Sequence, residues 1–324
     1  MTATSSQVPP PLALLPLRGR LILDCSTLLP GPRVGKLLAQ KGARVIKIES
    51  PSKPDRVRDL GPFYDDLNGL KEVRQLEIAP GAAGRKGFEE LVSQADGLIE
   101  GYRPATKSKL GLDSPTLHAL NPRLCILSLT GYPEDGPHRE RPAHDMNLQA
   151  ETGFLSLFNE LPGLPLADLF GAYEGALALT AAMDAVTRGG PNAQGTRVVV
   201  SLAQALTEVQ SSAVAVYRAT GEAPKPGETL FSGKFPCYRI YTAGCGRRVA
   251  FGPLEPKFWI KACEILGATE VLDGAYAVGK EGALVTTRIQ QALGSKPWSH
   301  WAPLFAADPC CVDGVREYSE VFGE

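Results

Sequence analysis

Leu-Ile-Leu-Asp-Cys-Ser-Thr-Leu-Leu-Pro-Gly-Pro-Arg-Val-Gly-Lys-Leu-Leu-Ala-Gln-Lys-Gly-Ala-Arg-Val-Ile-Lys-Ile-Glu (21–49) reads as a strand, a helix and a second strand. Leu21–Asp24 is a short apolar run, and Val45–Ile48 is another. Such runs, bounded by turn residues, suit strands buried on both faces. Between them Gly31-Pro32 opens a helix through Val34, Leu37 and Leu38, and Lys41-Gly42 closes it. Pro at a helix start and Gly just past its end are the signals expected there.

Working outward, Val73–Ile78, Gly97–Ile99 and Leu124–Leu129 read as further strands, with a helix over Gly84–Gln94. Strands and helices alternating through short connections predict an α/β fold, a doubly wound, mainly parallel sheet covered by helices. Ala167–Arg188 is a long helix rich in Ala, Leu and Gly, broken by Gly189-Gly190-Pro191-Asn192. A buried strand over Val198–Val200 and a helix over Leu202–Ala219 follow.

The pattern then changes. Gly, Pro and Glu crowd 221–233, after which Cys237–Thr242 and Arg248–Phe251 form a hairpin around Ala243-Gly244-Cys245-Gly246. Helices over Pro256–Leu266, Leu284–Leu293 and Trp298–Ala306 complete a smaller α+β domain. The expected organisation is a disordered leader over 1–16, a large Rossmann-like domain over 17–220, a linker over 221–234 and the small domain over 235–324.

Composition narrows the function classes. Lys and Arg number 34 against 35 Asp and Glu, a net charge of −1, without the basic excess of a nucleic-acid binder. No apolar run approaches the roughly 20 residues of a membrane span. Met1–Pro16 lacks the basic start of a signal peptide. Neither nucleic acid nor membrane is expected as a partner, and a cytoplasmic location is. The seven cysteines are odd in number, form no CxxC pair and sit mostly in apolar surroundings, as reduced thiols used for packing do. The four histidines are scattered, so no metal is expected. The turn after the first strand has no GxGxxG, which argues against a dinucleotide.

Three residues stand out as an acid/base set. His144 lies in Arg-Pro-Ala-His-Asp-Met-Asn-Leu (141–148), Asp168 opens the apolar run Leu169–Val186, and Glu255 lies in Phe-Gly-Pro-Leu-Glu-Pro-Lys-Phe (251–258). Each alone has an ordinary explanation at a helix start: an acceptor for free N–H groups or a favourable charge near the dipole.

The ordered motifs resemble the type III acyl-coenzyme A transferase family, which includes the α-methylacyl-CoA racemases. The matching segments include Leu-Arg-Gly-Arg-Leu-Ile-Leu-Asp (17–24), Pro-Gly-Pro (30–32) and Gly-Ala-Arg-Val-Ile-Lys-Ile-Glu (42–49). Ala-Asp-Gly-Leu-Ile-Glu-Gly-Tyr-Arg-Pro (95–104), Asn-Pro-Arg-Leu (121–124) and Leu-Thr-Gly-Tyr (129–132) continue the series in order.

The resemblance implies that the 17–220 domain binds an acyl-CoA, with coenzyme A part of the substrate and no permanently bound cofactor. Asp at the position of Asp168 is shared by transferases, where it attacks the thioester, and racemases, where it is an acid/base. His-Asp-x-Asn at 144–147 and Gly-x-Leu-Glu-Pro-x-Phe at 252–258 resemble the racemase branch. The implied activity is inversion of the α-carbon of a 2-methyl-branched acyl-CoA, with His144 and Asp168 as opposed acid and base. Glu255 would assist from the small domain of a partner subunit in a homodimer. The alternatives are a CoA-transferase working through an aspartyl mixed anhydride and a non-catalytic relative.

For the coenzyme itself, Leu76 and Tyr102 are candidate walls for adenine. Gly101, Arg103, Lys107 and Lys109 are the candidates beside them, the three cations as phosphate partners. This side departs most from the family pattern: Ser50 stands where an Arg is common, Asn68-Gly69-Leu70-Lys71 replaces Asn-Arg-x-Lys, and Arg103-Pro104-Ala105 replaces Arg-Pro-Gly. The chain ends at Val321–Glu324, short of the return segment that such proteins carry.

Overall fold

The first strand, β1 (Leu21–Asp24), pairs in parallel with β2 (Arg44–Glu49) on one side and β4 (Gly97–Glu100) on the other. β3 (Glu72–Gln75) adds outside β2, and β5 (Cys125–Thr130) and β6 (Arg197–Ser201) add outside β4, all parallel. The sheet order is therefore β3-β2-β1-β4-β5-β6. This is the doubly wound α/β arrangement, whose strand order reverses between β1 and β4. These relationships come from a computed structural model, which describes residues 15–323. The expected leader falls almost wholly outside the described residues.

Alternation along the strands loads both faces of the sheet. Short helices α2 (Pro62–Asn68) and α4 (Pro104–Leu110) precede β3 and follow β4. Leu23, Ile46, Leu98 and Ile126 face α3 (Arg85–Val92) and α5 (Ser114–Leu120), burying Phe88, Val92 and Leu117 among them. On the other face α1 (Pro30–Gln40) packs against α7 (Leu166–Arg188), and α7 lies along β5 and β6. Gly175 makes that approach possible, because a Cβ there would stand 3.0 Å from Leu127 and 3.3 Å from Val34. Gly31 serves α1 likewise, since a Cβ would stand 2.1 Å from the Ser26 hydroxyl.

β3 and the helix after β6 differ from expectation. β3 stops at Gln75 rather than running to Ile78, because its partner β2 ends at Glu49. After a last bond from Leu76 N to Glu49 O at 2.8 Å, the chain turns inward to bury Ile78. The helix expected over Leu202–Ala219 is two helices, α8 (Leu202–Glu208) and α9 (Ser211–Thr220). Between them the buried Gln210 side chain donates to Thr152 O at 3.3 Å and Leu206 O at 3.2 Å.

Contacts divide the chain into two units, one of residues up to Phe154 with Pro162–Ser211, the other of Leu155–Leu161 with Ser212–Glu324. The division thus falls after Ser211, the first residue of α9. In the second unit β7 (Arg239–Thr242) and β8 (Arg248–Phe251) form the expected hairpin, and β9 (Val312–Gly314) joins β8 antiparallel. Helices α10 (Pro256–Leu266), α11 (Gly279–Gly294) and α12 (Trp298–Ala307) cover a core that contains Trp259, Phe251, Tyr241 and Ile289. Trp259 lies fully inside it and still satisfies its indole N–H on Leu272 O at 2.7 Å. All seven cysteines are free thiols, five of them buried. Among the described residues no helix is long and apolar enough to cross a membrane.

Candidate active site

A cleft of about 620 Å³ opens at the carboxyl ends of β1, β2, β3 and β4. Loops leave an open parallel sheet at this edge, and the reversal of strand order keeps them apart, so ligands bind there. Cys25, Thr27 and Leu28 reach it after β1, Ser50 and Ser52 through Arg56 after β2, Leu76 through Ala79 after β3, and Tyr102 after β4. His144 lines it as well.

His144 is the N-cap of α6 (Asp145–Glu151), and its backbone N–H donates to Asn147 Oδ1 at 3.0 Å. The imidazole itself is exposed at the cleft. Asp145 follows at the first position of α6. Its carboxylate accepts from the backbone N–H of Asp168 at 3.1 Å and from the buried Gln149 side chain, which also donates to Leu164 O at 3.2 Å. These bonds tie α6 to the chain that enters α7, and they bring Asp168 beside the residue next to His144.

Asp168 is not the cap of α7. It lies in the first turn, two residues inside a helix that starts at Leu166. Its carboxyl is pushed up to about 7, first by burial and then by the Asp145 carboxylate. Both causes disfavour the charged form: the half-buried carboxyl loses hydration, and a like charge stands beside it. The result is an acid that is partly protonated near neutral pH, as proton transfer requires. Asp145 sits inside the His-Asp-x-Asn motif, where residue type alone gives it no role. Its pairing with Asp168 spans 23 residues, and no local pattern reports it.

Glu255 is an exposed N-cap of α10 and belongs to the second unit, whereas His144, Asp145 and Asp168 belong to the first. Among the described residues no cluster of His, Cys, Asp and Glu has the makings of a metal site.

Of the six residues expected at the coenzyme, Leu76 and Tyr102 line the cleft. Gly101, Arg103 and Lys109 are exposed outside its lining, and Arg103 reaches Glu140 O at 3.5 Å. Lys107 needs a correction as a phosphate partner. It is buried, and its ammonium contacts Glu100 at 2.9 Å and Glu134 at 3.1 Å. Glu100 in turn accepts from the backbone N–H of Tyr102 at 2.9 Å, so Lys107 steadies a wall of the cleft from behind. The exposed cations that line the cleft are Lys53 and Arg56, in the loop after β2. A short polar loop between periodic segments carries no signal that singles them out.

The family model for CoA-transferase family III matches residues 17–324. An acetyl-CoA:oxalate CoA-transferase of Acetobacter aceti is 28% identical, over 88% of this chain and 77% of that protein. The α-methylacyl-CoA racemase of Homo sapiens is 27% identical, over 94% of this chain and 79% of that protein. Among solved structures, a CAIB/BAIF family protein from Brucella suis superposes with a TM-score of 0.81 at 24% identity. It covers 95% of this chain and 86% of its own, and it carries the same fold.

Proposed function

From the premise that the chain belongs to CoA-transferase family III, we propose that it moves a proton at the α-carbon of a 2-methyl-branched acyl-CoA, inverting that centre. A thioester carbonyl acidifies its α-carbon. One group takes the α-proton while the C–H electron pair spreads into the carbonyl, and a second group returns a proton to the opposite face. His144 and Asp168 are the pair, with coenzyme A as the substrate's handle in the cleft and Lys53 and Arg56 toward its phosphates. Glu255 assists from the second unit of a partner copy in a homodimer.

The observation that carries this reading is the geometry: His144 lines the cleft, and the adjacent Asp145 accepts the backbone N–H of Asp168 at 3.1 Å, where burial and the Asp145 charge push the Asp168 carboxyl up to about 7. Such a group is populated both as acid and as base at neutral pH, which a reaction run in either direction needs. A carboxylate serving as nucleophile has the opposite requirement, since its protonated half cannot attack. The second reading, a CoA-transferase in which Asp168 forms a mixed anhydride with the acyl group, draws on relatives that bear the transferase name.

Incubation with 2-methylacyl-CoA in deuterated water separates the two. The racemase reading expects the α-hydrogen to exchange and either enantiomer to become a mixture. Absence of exchange, with an acyl-enzyme at Asp168 that hydroxylamine traps, replaces it with the transferase.

A further inference from the structure

Leu28 stands at φ 67°, in the left-handed region that a branched side chain rarely adopts. It lies in the loop between β1 and α1, 43% exposed, and it lines the cleft. Non-glycine residues held in this region mark places where the surrounding structure enforces the conformation, often at ligand sites.

The enforcing groups are identifiable. The Asp55 carboxylate accepts the backbone N–H of Leu28 on both oxygens, each at 3.1 Å, and that of Val57 at 3.2 Å. Asp55 is paired with Lys47 at 3.3 Å, both side chains wholly buried, and Lys47 also donates to Ser26 O at 2.8 Å. From the other side Ser26 N donates to Asp24 at 3.1 Å, and Asp24 is paired with buried Lys71 at 2.8 Å. Two buried ion pairs therefore grip the loop at residues 26 and 28. The same device recurs at Tyr102, whose N–H is held by Glu100 against Lys107.

Neither β1 nor α1 needs a strained residue at 28, where a glycine would adopt the same φ freely. What the arrangement achieves is an apolar side chain presented to the cleft from a held backbone, beside the polar loop after β2. We propose that Leu28 is a specificity-determining contact for the coenzyme handle of the substrate, and that Asp55 is the positioning residue that aims it. The proposal rests on the reading that this cleft holds an acyl-CoA. A preorganised wall binds without having to be ordered by the ligand, which favours affinity.

Calorimetric titration with coenzyme A, which carries no acyl chain, tests the assignment on the unaltered protein, L28G, L28A, D55N and the L28G/D55N double variant. L28G keeps the backbone conformation without strain, so it is expected to unfold at or above the parent's temperature while binding coenzyme A about tenfold more weakly. L28A loses the same contact. D55N raises KM for 2-methylacyl-CoA with little change in kcat, yet adds little in the L28G background, where no side chain remains to be aimed. If D55N fails to fold, L28G and L28A decide. Unchanged coenzyme A affinity in both, or a loss confined to acyl-CoA, overturns the inference while the parent reading stands. Failure of the unaltered protein to bind coenzyme A removes that parent reading and this one with it.

Discussion

The Asp145 carboxylate accepts the backbone N–H of Asp168 at 3.1 Å. One contact thereby fixes where α7 begins and places a second negative charge beside the Asp168 carboxyl. Its consequences for charge, catalysis and stability can each be measured.

Asp168 should weaken the fold as it ionises. Its carboxyl is raised from the ordinary 3.8 to about 7 by burial and by Asp145. Between those values the folded chain keeps a proton that the unfolded chain has released. Stability therefore falls as pH rises through that window. Asp168→Asn removes the effect, so the variant should be more stable than the parent by about 2 kcal/mol at pH 8. The difference should vanish near pH 4. Urea unfolding at the two pH values checks this, and equal differences at both would contradict it.

Asp145→Asn should move the pH dependence of kcat/KM. The amide oxygen still accepts from Asp168 N–H, so the geometry is kept while the neighbouring charge is lost. The limb that reports Asp168 should shift to lower pH but stay above the value of a free carboxyl, because burial is the larger cause. A limb that does not move would mean that Asp145 acts on Asp168 through structure alone.

His144→Ala should separate chemistry from folding. The ring is exposed and the Asn147 side chain still accepts the backbone N–H at 144, so thermal unfolding should stay within a few degrees of the parent, the worth of one cap at most. Inversion should fall roughly 100- to 10,000-fold, the usual worth of a positioned acid or base. Exchange of the α-hydrogen from a single enantiomer, through Asp168, should survive better than inversion. Equal loss of both would point away from a pair acting on opposite faces.

Lys107 and the cleft cations should behave oppositely. Lys107→Met leaves Glu100 and Glu134 without their ammonium and should cost about 3–5 kcal/mol of stability, as loss of one partner of a buried pair does. Lys53→Ala and Arg56→Ala should change stability by less than about 0.5 kcal/mol. Each should weaken coenzyme A binding about tenfold, less so at high salt. Denaturation and calorimetry together distinguish the two patterns, and a stable Lys107→Met with weakened binding would restore Lys107 to the ligand.

The layering of the first unit was legible in the chain itself. Strands buried on both faces must be continuous apolar runs, and the helices that cover them must carry an apolar stripe. Leu21–Asp24, Val45–Ile48 and the helix between them therefore announce their states locally. Where a state depends on a distant partner the signal fails, as at β3, which ends because β2 ends, and at Gln210, whose side chain closes on Thr152.

The site divides the same way. The sequence by itself determined the α/β class, the family motifs and the candidacy of His144 and Asp168, since those rest on residue type and order. Only the tertiary structure decided what each charge meets. It placed Asp145 against Asp168, enclosed Lys107 between two carboxylates and bent Leu28 into a left-handed turn held by Asp55. The physical reason is range: apolar periodicity is written over a few neighbouring residues. The partner of a buried charge is chosen by chain closure across tens of residues, and a pKa or a strained φ follows from that partner.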